Sequence, residues 1–328
     1  MSTLAPLRGP ARVAVRQHRR ALQIAGLAAV AGIVVLIGYA LWTSHLIDAF
    51  EAGPCEASGV SGPECDQRIR DFSDATYRFS RLMTYASVVL TALPGVVSAF
   101  VAGPMIAREL ESGTYRMAWT QSVTPTRWLA AKLAVPGVLL VAGASVLSAV
   151  FTWARTRAGA ESSPLYWYEA PVFAATPPAS VGYTLLGIAV GALTGLLVRR
   201  TVAAMAVAAL VTGTVIATLG SLRSSLWPML TEIRPTEGNS GIPVTSWVVD
   251  LGRVTGSGER LPWEVCVPQA DEAVMPRCLA EHDVTGAFID YHPASHFWPL
   301  QLVETGILLA LAALALALAF RVLRRRHG

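Results

Sequence analysis

Three side chains have the types and spacing that chemistry in or near a membrane needs. His292 and His296 are four residues apart in "YHPASHFW", as the two ligands of a histidine metal pair would be. Pro293 lies between them and the sequence supplies no third ligand, so no metal site is predicted. Glu304 lies near one end of an apolar run, where an acid indicates either a functional position or simple solvation at the membrane interface.

The sequence encodes no nucleotide-binding loop. A Walker A loop places its lysine between Gly and Ser or Thr so that the ammonium group reaches the phosphates, whereas the only lysine, Lys132, lies between Ala131 and Leu133. Neither a Gly-x-Ser-x-Gly elbow nor a His-Glu-x-x-His helix occurs. We therefore expect no catalytic residue, no bound cofactor and no nucleic-acid partner for this chain, and any ATP and magnesium that energise it must bind to another chain.

The four cysteines lie in two polar segments. Cys55 and Cys65 share the first segment, and Cys266 and Cys278 share the last. An oxidising exterior permits disulfides, and bonds within each segment are the simplest of the connectivities open to four cysteines. We expect the pairs Cys55–Cys65 and Cys266–Cys278, with free thiols as the alternative, and the spacing does not fit a zinc site.

The composition is that of a membrane protein. Of the 328 residues, 53% are hydrophobic and 15% are charged, with a mean hydropathy of +0.48, whereas soluble domains carry about 25% charged residues. The apolar residues form runs of about 20, which is the length that crosses a bilayer as a helix with its backbone fully hydrogen-bonded. These runs predict six spans: Ala21–Leu41, Met83–Ile106, Leu133–Trp153, Ser180–Val198, Val202–Leu219 and Leu300–Phe320.

Basic residues predict the orientation, because Lys and Arg stay on the cytoplasmic side. They concentrate before the first span, between spans two and three, between spans four and five, and after the sixth, whereas acids concentrate in the other connections. Both termini are therefore expected in the cytoplasm, and the first span is expected to remain as a signal anchor. The predicted fold is an all-α integral membrane protein with six transmembrane helices and a large extracytoplasmic loop between spans five and six.

We expect a single transmembrane domain over residues 1–328. Residues 1–20 are rich in arginine and predict a basic helix that lies in the cytoplasmic interface, with a disordered basic tail as the alternative. Residues 220–299 are the extracytoplasmic loop region between spans five and six.

Two features inside the spans predict special packing. Gly187, Gly191 and Gly195 follow one another at four-residue spacing, which lets another helix approach closely. Pro94 predicts a kink in the second span. Because kinked spans and intramembrane acids often line pathways, Pro94 and Glu304 are candidates for the lining of a transport pathway.

A polar insert, residues 107–132, separates spans two and three. Its first part predicts a helix that Gly113 loosens, and Pro125 is suited to the first turn of a second helix that continues into the third span. The insert is too short to fold alone. It is therefore either a docking element braced against the membrane or a loop that only sets topology.

The amino-acid sequence of the insert also resembles that of a known family. "ARELESGTYRMAWTQSVTPTRWLAAK", with its Arg-Glu, its Gly-Thr and a distal Pro followed by Arg, Trp and Lys, is similar to the second-to-third connection of type-2 ABC exporter permeases. Together with "YHPASHFWPLQLVETGILLALA" it resembles a six-span group of permease subunits common in actinobacteria. That group usually has Gln-Pro-Ala-Ser-Arg-Phe-Trp in the second stretch, so His292 and His296 replace its Gln and Arg.

The resemblance implies the permease subunit of an ABC exporter, which would move an amphipathic or hydrophobic compound out of the cell by alternating access. It implies a cytoplasmic ABC ATPase subunit that binds ATP and Mg, a second permease copy or paralogue, and a multi-pass location in the plasma membrane of a bacterium, specifically an actinobacterium. The insert would be the coupling helix that lies in a cleft of the ATPase. The coupling role would fall on Arg108, Glu109, Glu111, Gly113, Thr114, Arg116, Trp119 and Gln121.

Two other classes of function fit the residues alone. A membrane sensor or scaffold would bind a ligand or the cell wall through its extracytoplasmic loops. A membrane-embedded enzyme would act through His292, His296 and Glu304.

Overall fold

The computed structural model describes residues 19–53, 55, 63–115, 124–157, 165–235, 242–266 and 274–327. Long helices account for most of this part of the chain. The elements in chain order are α1 (Arg19–Glu51), α2 (Pro63–Val96), a π-helical segment (Val97–Ala102), α3 (Gly103–Ser112), α4 (Pro125–Arg157), α5 (Ala170–Ala175), α6 (Ala179–Val198), α7 (Thr201–Leu222), a 3-10 turn (Arg223–Ser225), β1 (Leu230–Pro235), β2 (Trp247–Thr255), β3 (Arg260–Pro262), α8 (Val274–Glu281), β4 (Val284–His292), a second 3-10 turn (Ala294–His296) and α9 (Phe297–His327).

Six helical stretches among the described residues are long and apolar enough to cross a membrane. They cover Gln23–Glu51, Cys65–Ser112, Pro125–Arg157, Ala179–Val198, Thr201–Ser225 and Ala294–Arg325. The prediction of six helices that are long and apolar enough to cross a membrane is confirmed, and they point to a multi-pass membrane protein. The cytoplasmic location of both termini stays a prediction, and the interfacial helix predicted over residues 1–20 falls almost entirely outside the described residues.

Apolar side chains on the outer helices are open rather than buried. On α1, Ile24, Leu27 and Val34 are 69%, 71% and 63% exposed. Apolar surface of this kind along a whole helix is unfavourable in water and favourable against lipid. The exposure pattern therefore agrees with a helix that spans a bilayer.

The chain forms two compact units. Residues 1–218 and 304–328 make up the first, called here the helical unit, and residues 219–303 make up the second, called here the sheet unit. The boundaries fall within α7 and α9, so each of these helices contributes residues to both units.

Helix α6 is the most enclosed span of the helical unit. In the most apolar stretch of α6, 72% of the residues are buried, whereas only 11% are buried in the corresponding stretches of α1 and α4. It packs on the π-helical segment and on α2, α3 and α4. A separate core joins α1, α2 and α4 through Leu36, Phe79, Met83 and Phe151. The second span, the third span and α3 therefore all pack against the glycine-rich α6.

The sheet unit corrects the all-α prediction. It contains a four-stranded antiparallel sheet in the order β1-β4-β2-β3. Along the central strand β4, buried residues alternate with more open ones, and Phe288, Asp290 and His292 all point to the buried face. A period of two is the signature of a half-buried strand. The strands of the sheet are three to nine residues long. Patterns this short are hard to recognise in a sequence that is dominated by six long apolar runs.

Candidate coupling surface and buried polar sites

The acidic side chains of α3 connect the insert to the third span. Glu109 forms an ion pair with Lys132, the only lysine of the chain, near the start of α4. Their side chains are 29% and 28% exposed. Because water still screens such a pair in part, it contributes up to about 1 kcal/mol. The contact holds the insert helix against the helix that leads into the third span.

A second acid connects the insert to the fifth span. Oε2 of Glu111 accepts hydrogen bonds from the backbone N–H of Thr201 at 2.9 Å and from its Oγ1 at 2.5 Å. Thr201 is the first residue of α7, where the backbone N–H groups have no partner within the helix. Glu111 therefore caps α7 from another helix, with its negative charge at the positive end of the α7 dipole.

Gly113 ends α3 in the left-handed conformation, with φ of 74° and ψ of 2°. An L-residue with a Cβ costs ~1–2 kcal/mol more in this region. After it the chain turns back on the helix, because Oγ1 of Thr114 lies 3.0 Å from Oγ of Ser112 and 3.5 Å from the carbonyl oxygen of Glu109. The turn therefore uses Gly113 for its backbone shape and Thr114 for its closure.

Three residues of the implied coupling set, Arg116, Trp119 and Gln121, lie outside the described residues. Arg108 is exposed on the surface of α3. The structure thus places Arg108, Glu109 and Glu111 on one short helix, and Gly113 with Thr114 at its end.

The helix of the insert packs into an apolar cluster. The cluster is formed by Ile106, Trp128, Leu129, Ala192, Leu196, Ala319 and Leu323. It joins α3 and the first turn of α4 to α6 and α9, and Ile106 and Leu129 are fully buried. Burying side chains of this size stabilises a contact by about 1.5–3 kcal/mol each. The insert is therefore anchored by packing and oriented by its two acids.

At the three glycines of α6, the backbone of this helix lies close to residues 94–103. A Cβ on Gly187 would lie 2.5 Å from the carbonyl oxygen of Pro94. On Gly191 it would lie 2.6 Å from the Cβ of Ala102, and on Gly195 2.8 Å from the carbonyl oxygen of Gly103. Any side chain at these three positions would force the helices apart, so the glycine stripe is what lets α6 approach the second span.

The second span changes its winding directly after Pro94. Pro94 lies inside α2 and donates no backbone N–H, and residues Val97–Ala102 then form a π-helical segment. Within that segment Ser98 is buried, its Oγ accepts a 3.1 Å hydrogen bond from Oγ1 of Thr212, and it lies 3.5 Å from the carbonyl oxygen of Ala208. The irregular turn is therefore held from two sides, by α6 and by α7.

Glu304 lies inside the helical unit rather than at an exposed interface. It is 0% exposed, and its Oε1 accepts a 2.7 Å hydrogen bond from the hydroxyl of Tyr183, which is 2% exposed. Pro94 and Glu304 were both candidates for a pathway, and each contacts α6, at Gly187 and Tyr183 respectively.

Both predicted disulfides are present. Cys55 bonds to Cys65 with 5.5 Å between Cα atoms, and Cys266 bonds to Cys278 with 5.6 Å. The ligand atoms of Cys266, Cys278 and His282 lie within 4.8 Å of one another. Because both sulfurs are used in the disulfide, this group offers a metal only the imidazole of His282.

His292 and His296 come together in the sheet unit. Their Nδ1 atoms are 3.0 Å apart, and Nε2 of His292 lies 2.9 Å from the carbonyl oxygen of Ser224. The ring of His292 also lies against that of Trp247, with 5.3 Å between centroids. The pKa of His292 lies below its ordinary value, mainly because the ring is buried. The hydrogen bond to the Ser224 carbonyl raises this pKa, and the neighbouring His296 lowers it further.

The sequence did not predict the hydrogen-bond partners of Glu111 and Glu304. Thr201 is 90 positions from Glu111, and Tyr183 is 121 positions from Glu304. In the sequence, Thr201 precedes an apolar run, and such a position indicates the start of a helix. It does not indicate which residue caps that helix.

The chain matches one family model, described as ABC-2 membrane transporter related, over residues 24–223. The match begins in α1 and ends in the 3-10 turn after α7, so it includes the glycine stripe, the π-helical segment, Glu109 and Glu111. Neither the curated proteins nor the solved structures contain a match to the chain. The family match covers more than half of the sequence and extends from the first to the fifth apolar helical stretch, and the chain therefore belongs to the ABC-2 membrane transporter related family.

Proposed function

We propose that this chain is the permease subunit of an ABC exporter that moves an amphipathic or hydrophobic compound out of the cell. It works by alternating access, driven by a separate cytoplasmic ABC ATPase that binds ATP and Mg. The whole chain, residues 1–328, forms one permease domain with both termini inside. Residues 107–132 contact the ATPase, and residues 220–299 face the outside.

The observation that carries the proposal is the double attachment of α3, the helix of the insert. A load on the insert moves the spans only if the insert makes contacts that differ between two states of the bundle. Glu109 meets α4 through Lys132, and Glu111 meets α7 through Thr201. Displacement of α3 therefore changes the packing of the third and the fifth spans together, as a coupling helix requires.

The positive charge of the cytoplasmic connections supports the proposed orientation. Arg199 and Arg200 lie directly before Thr201, at the α7 end that Glu111 caps. By the positive-inside rule this end of α7 lies in the cytoplasm. The insert would then lie on the same side as an ATPase, and the disulfide-bonded segments on the oxidising side.

A second permease copy or a paralogue completes the transporter in this proposal, in the plasma membrane of an actinobacterium. Apolar side chains that stay open on α7, among them Val202 and Leu210 at 78% and 70% exposure, provide surface for lipid and for such a partner.

The test first asks whether a neighbouring gene encodes an ABC ATPase. The full chain is then co-expressed with that ATPase, followed by affinity purification and measurement of ATP hydrolysis in nanodiscs. We expect the ATPase to co-purify with the unaltered chain and to be lost when residues 108–121 are replaced by a Gly-Ser linker. E109A/E111A is expected to retain the ATPase and to lose the change in hydrolysis rate that the permease causes.

The matched control is E51A, which removes an exposed acid at the end of α1, away from the insert. It should behave as the unaltered chain does. A linker variant that keeps its helical content by circular dichroism and still binds the ATPase would contradict the assignment of the insert.

A further inference from the structure

The face of the sheet opposite Phe288 leaves apolar side chains open. Leu230 of β1, Tyr291 of β4 and Val248 of β2 are paired in one row across the three strands. Residues paired directly across antiparallel strands point to the same face. Leu230 and Val248 are 45% and 42% exposed, and Tyr291 is half-buried. The row thus presents apolar surface to the surroundings.

A second row continues this surface. After a β-bulge between Val248 and Asp250, Leu251 of β2 pairs with Ile289 of β4. Leu251 is 40% exposed and Ile289 is half-buried. The apolar members of the two rows are called here the open apolar face, which consists of Leu230, Val248, Leu251, Ile289 and Tyr291.

The charges beside the open apolar face are compensated within β1. Glu232 completes the second row, where it pairs with Ile289. Its Oε1 forms an ion pair with Nη2 of Arg234 at 2.6 Å. The five residues of the face itself carry no charge. The surface therefore offers a neutral apolar contact that is bordered by an ion pair.

The other half of the same face is covered. Arg253 and Ala287 form the next row, and Arg253 is only 5% exposed. Its Nε donates to the carbonyl oxygen of Val265 at 2.7 Å, and its guanidinium lies 4.7 Å from the centre of the Trp263 ring. The open apolar face is therefore confined to the end of the sheet at which β1 begins and β4 ends.

That end of the sheet is joined to two apolar helical stretches. Leu230 follows Ser225, the last residue of the fifth stretch, by five positions, and Tyr291 precedes Ala294, the first residue of the sixth, by three. A chain extends at most ~3.6 Å per residue, which limits the two separations to about 18 Å and about 11 Å. Because the sheet unit comprises residues 219–303, the open apolar face and these ends of the stretches belong to one compact unit.

Exposed apolar side chains also connect the face to the two stretches. Leu222, the last residue of α7, is 51% exposed, and Trp227 and Met229, which lead to β1, are 38% and 40% exposed. Trp298, in the first turn of α9, is 59% exposed. Tryptophan is enriched where membrane helices meet the lipid headgroups. Apolar surface therefore extends from the ends of the spans to the open apolar face.

We propose that the open apolar face docks on the membrane surface, with its side chains at the boundary between the headgroups and the acyl chains of zwitterionic phospholipid. Open apolar surface of this kind favours a membrane or protein contact over water, and the short connections to two spans make lipid the nearest apolar phase. Because the face carries no charge, it does not require the anionic lipid that basic surfaces bind. The proposal needs a bilayer and no ATPase, so it is tested separately from the function proposed above.

The experiment measures lipid contact at single labelled positions of the full-length chain in phosphatidylcholine nanodiscs, with both native disulfides intact. L251C and V248C are each labelled with a bimane fluorophore. The matched control is D250C, since Asp250 is exposed, adjacent to Leu251 and paired with Asp290 on the opposite face. Phosphatidylcholine that is spin-labelled near the top of its acyl chain should quench the fluorophore at L251C and V248C and leave D250C unquenched. Iodide in the water should quench D250C more strongly than the other two.

Three results would overturn the proposal. Quenching of L251C by iodide and not by the lipid would place the face in water. Shielding of L251C from both quenchers would mean that protein covers the face, for example a second copy of the chain. Quenching by the lipid only after phosphatidylglycerol is added would contradict an uncharged contact. V248C gives the same three readings if L251C fails to fold.

Discussion

The hydroxyl of Tyr183 donates a 2.7 Å hydrogen bond to Oε1 of Glu304, joining α6 to α9 across 121 residues of sequence. Both side chains are enclosed, at 2% and 0% exposure. An acid in the hydrocarbon region is costly unless protein groups solvate it. The phenol provides such a group, and the bond therefore helps to determine where the last span packs.

Removing this hydroxyl should destabilise the helical unit. For Y183F we expect a loss of about 1 kcal/mol, because hydrogen bonds between membrane helices contribute ~0.6 kcal/mol on average and up to ~1.7 kcal/mol. Reversible unfolding of the detergent-solubilised chain in SDS measures it. The matched control is Y85F, which removes a hydroxyl from an exposed contact with Arg81 and should change the free energy of unfolding by less than about 0.5 kcal/mol. Equal effects of the two changes would contradict the structural role given to Tyr183.

Adding one methyl group to the glycine stripe should separate α6 from the second span. In G191A the new Cβ would lie 2.6 Å from the Cβ of Ala102 and 2.7 Å from the carbonyl oxygen of Ser98. Overpacking of this kind costs about 1–3 kcal/mol. The control, G143A on α4, meets nothing within 4 Å and should be neutral or stabilising by about 0.4–1 kcal/mol. Thermal unfolding of both variants measures the difference, and a G191A variant as stable as G143A would exclude the close approach.

The disulfides should leave no reactive thiol in the purified chain. All four cysteines are bonded, within separations of 10 and 12 residues. Iodoacetamide added to the denatured, unreduced chain should therefore add no mass, and prior reduction should allow four additions. C266S/C278S should lower the stability of the sheet unit by about 3 kcal/mol, from the loss of loop closure in its unfolded state. Alkylation of any cysteine without reduction would contradict the pairing.

The sheet unit should lose stability in mild acid. The pKa of His292 is lowered from 6.5 in the folded chain, so the unfolded state binds more protons as the pH falls through that value. The free energy of unfolding is therefore highest above pH 6.5 and declines below it. Limited proteolysis of the sheet unit between pH 5 and 8 measures the decline. H292Q should lessen the pH dependence and H282Q should keep it, and identical profiles for all three chains would show that another group is responsible.

Much of the helical architecture follows from the length of the apolar runs. A stretch such as Leu300–Phe320 has no alternative to a helix when its surroundings are lipid. The cysteine pairs follow from short separations within one segment. These features depend on neighbouring residues, which is why the sequence alone predicts them.

The contacts that orient the insert depend on residues far apart in the chain. Nothing near Glu111 indicates that it caps α7 at Thr201, and nothing near Glu304 indicates Tyr183. The sheet escaped prediction for another reason. Strand β4 alternates in burial, but its hydrophobic pattern is interrupted by two small residues, Gly286 and Ala287, and by the acid Asp290.

The second span and the insert helix form one continuous helical rod. It runs from Cys65 to Ser112, 48 residues, which at 1.5 Å per residue is about 72 Å. The hydrocarbon core of a bilayer is about 30 Å thick, so the rod is about twice as long as that core or longer. One end of this rod is bonded through Cys65 to Cys55, and the other ends beside Glu111. A tilt imposed at one end of the rod therefore displaces the other end, and the π-helical segment is the place where the rod can bend.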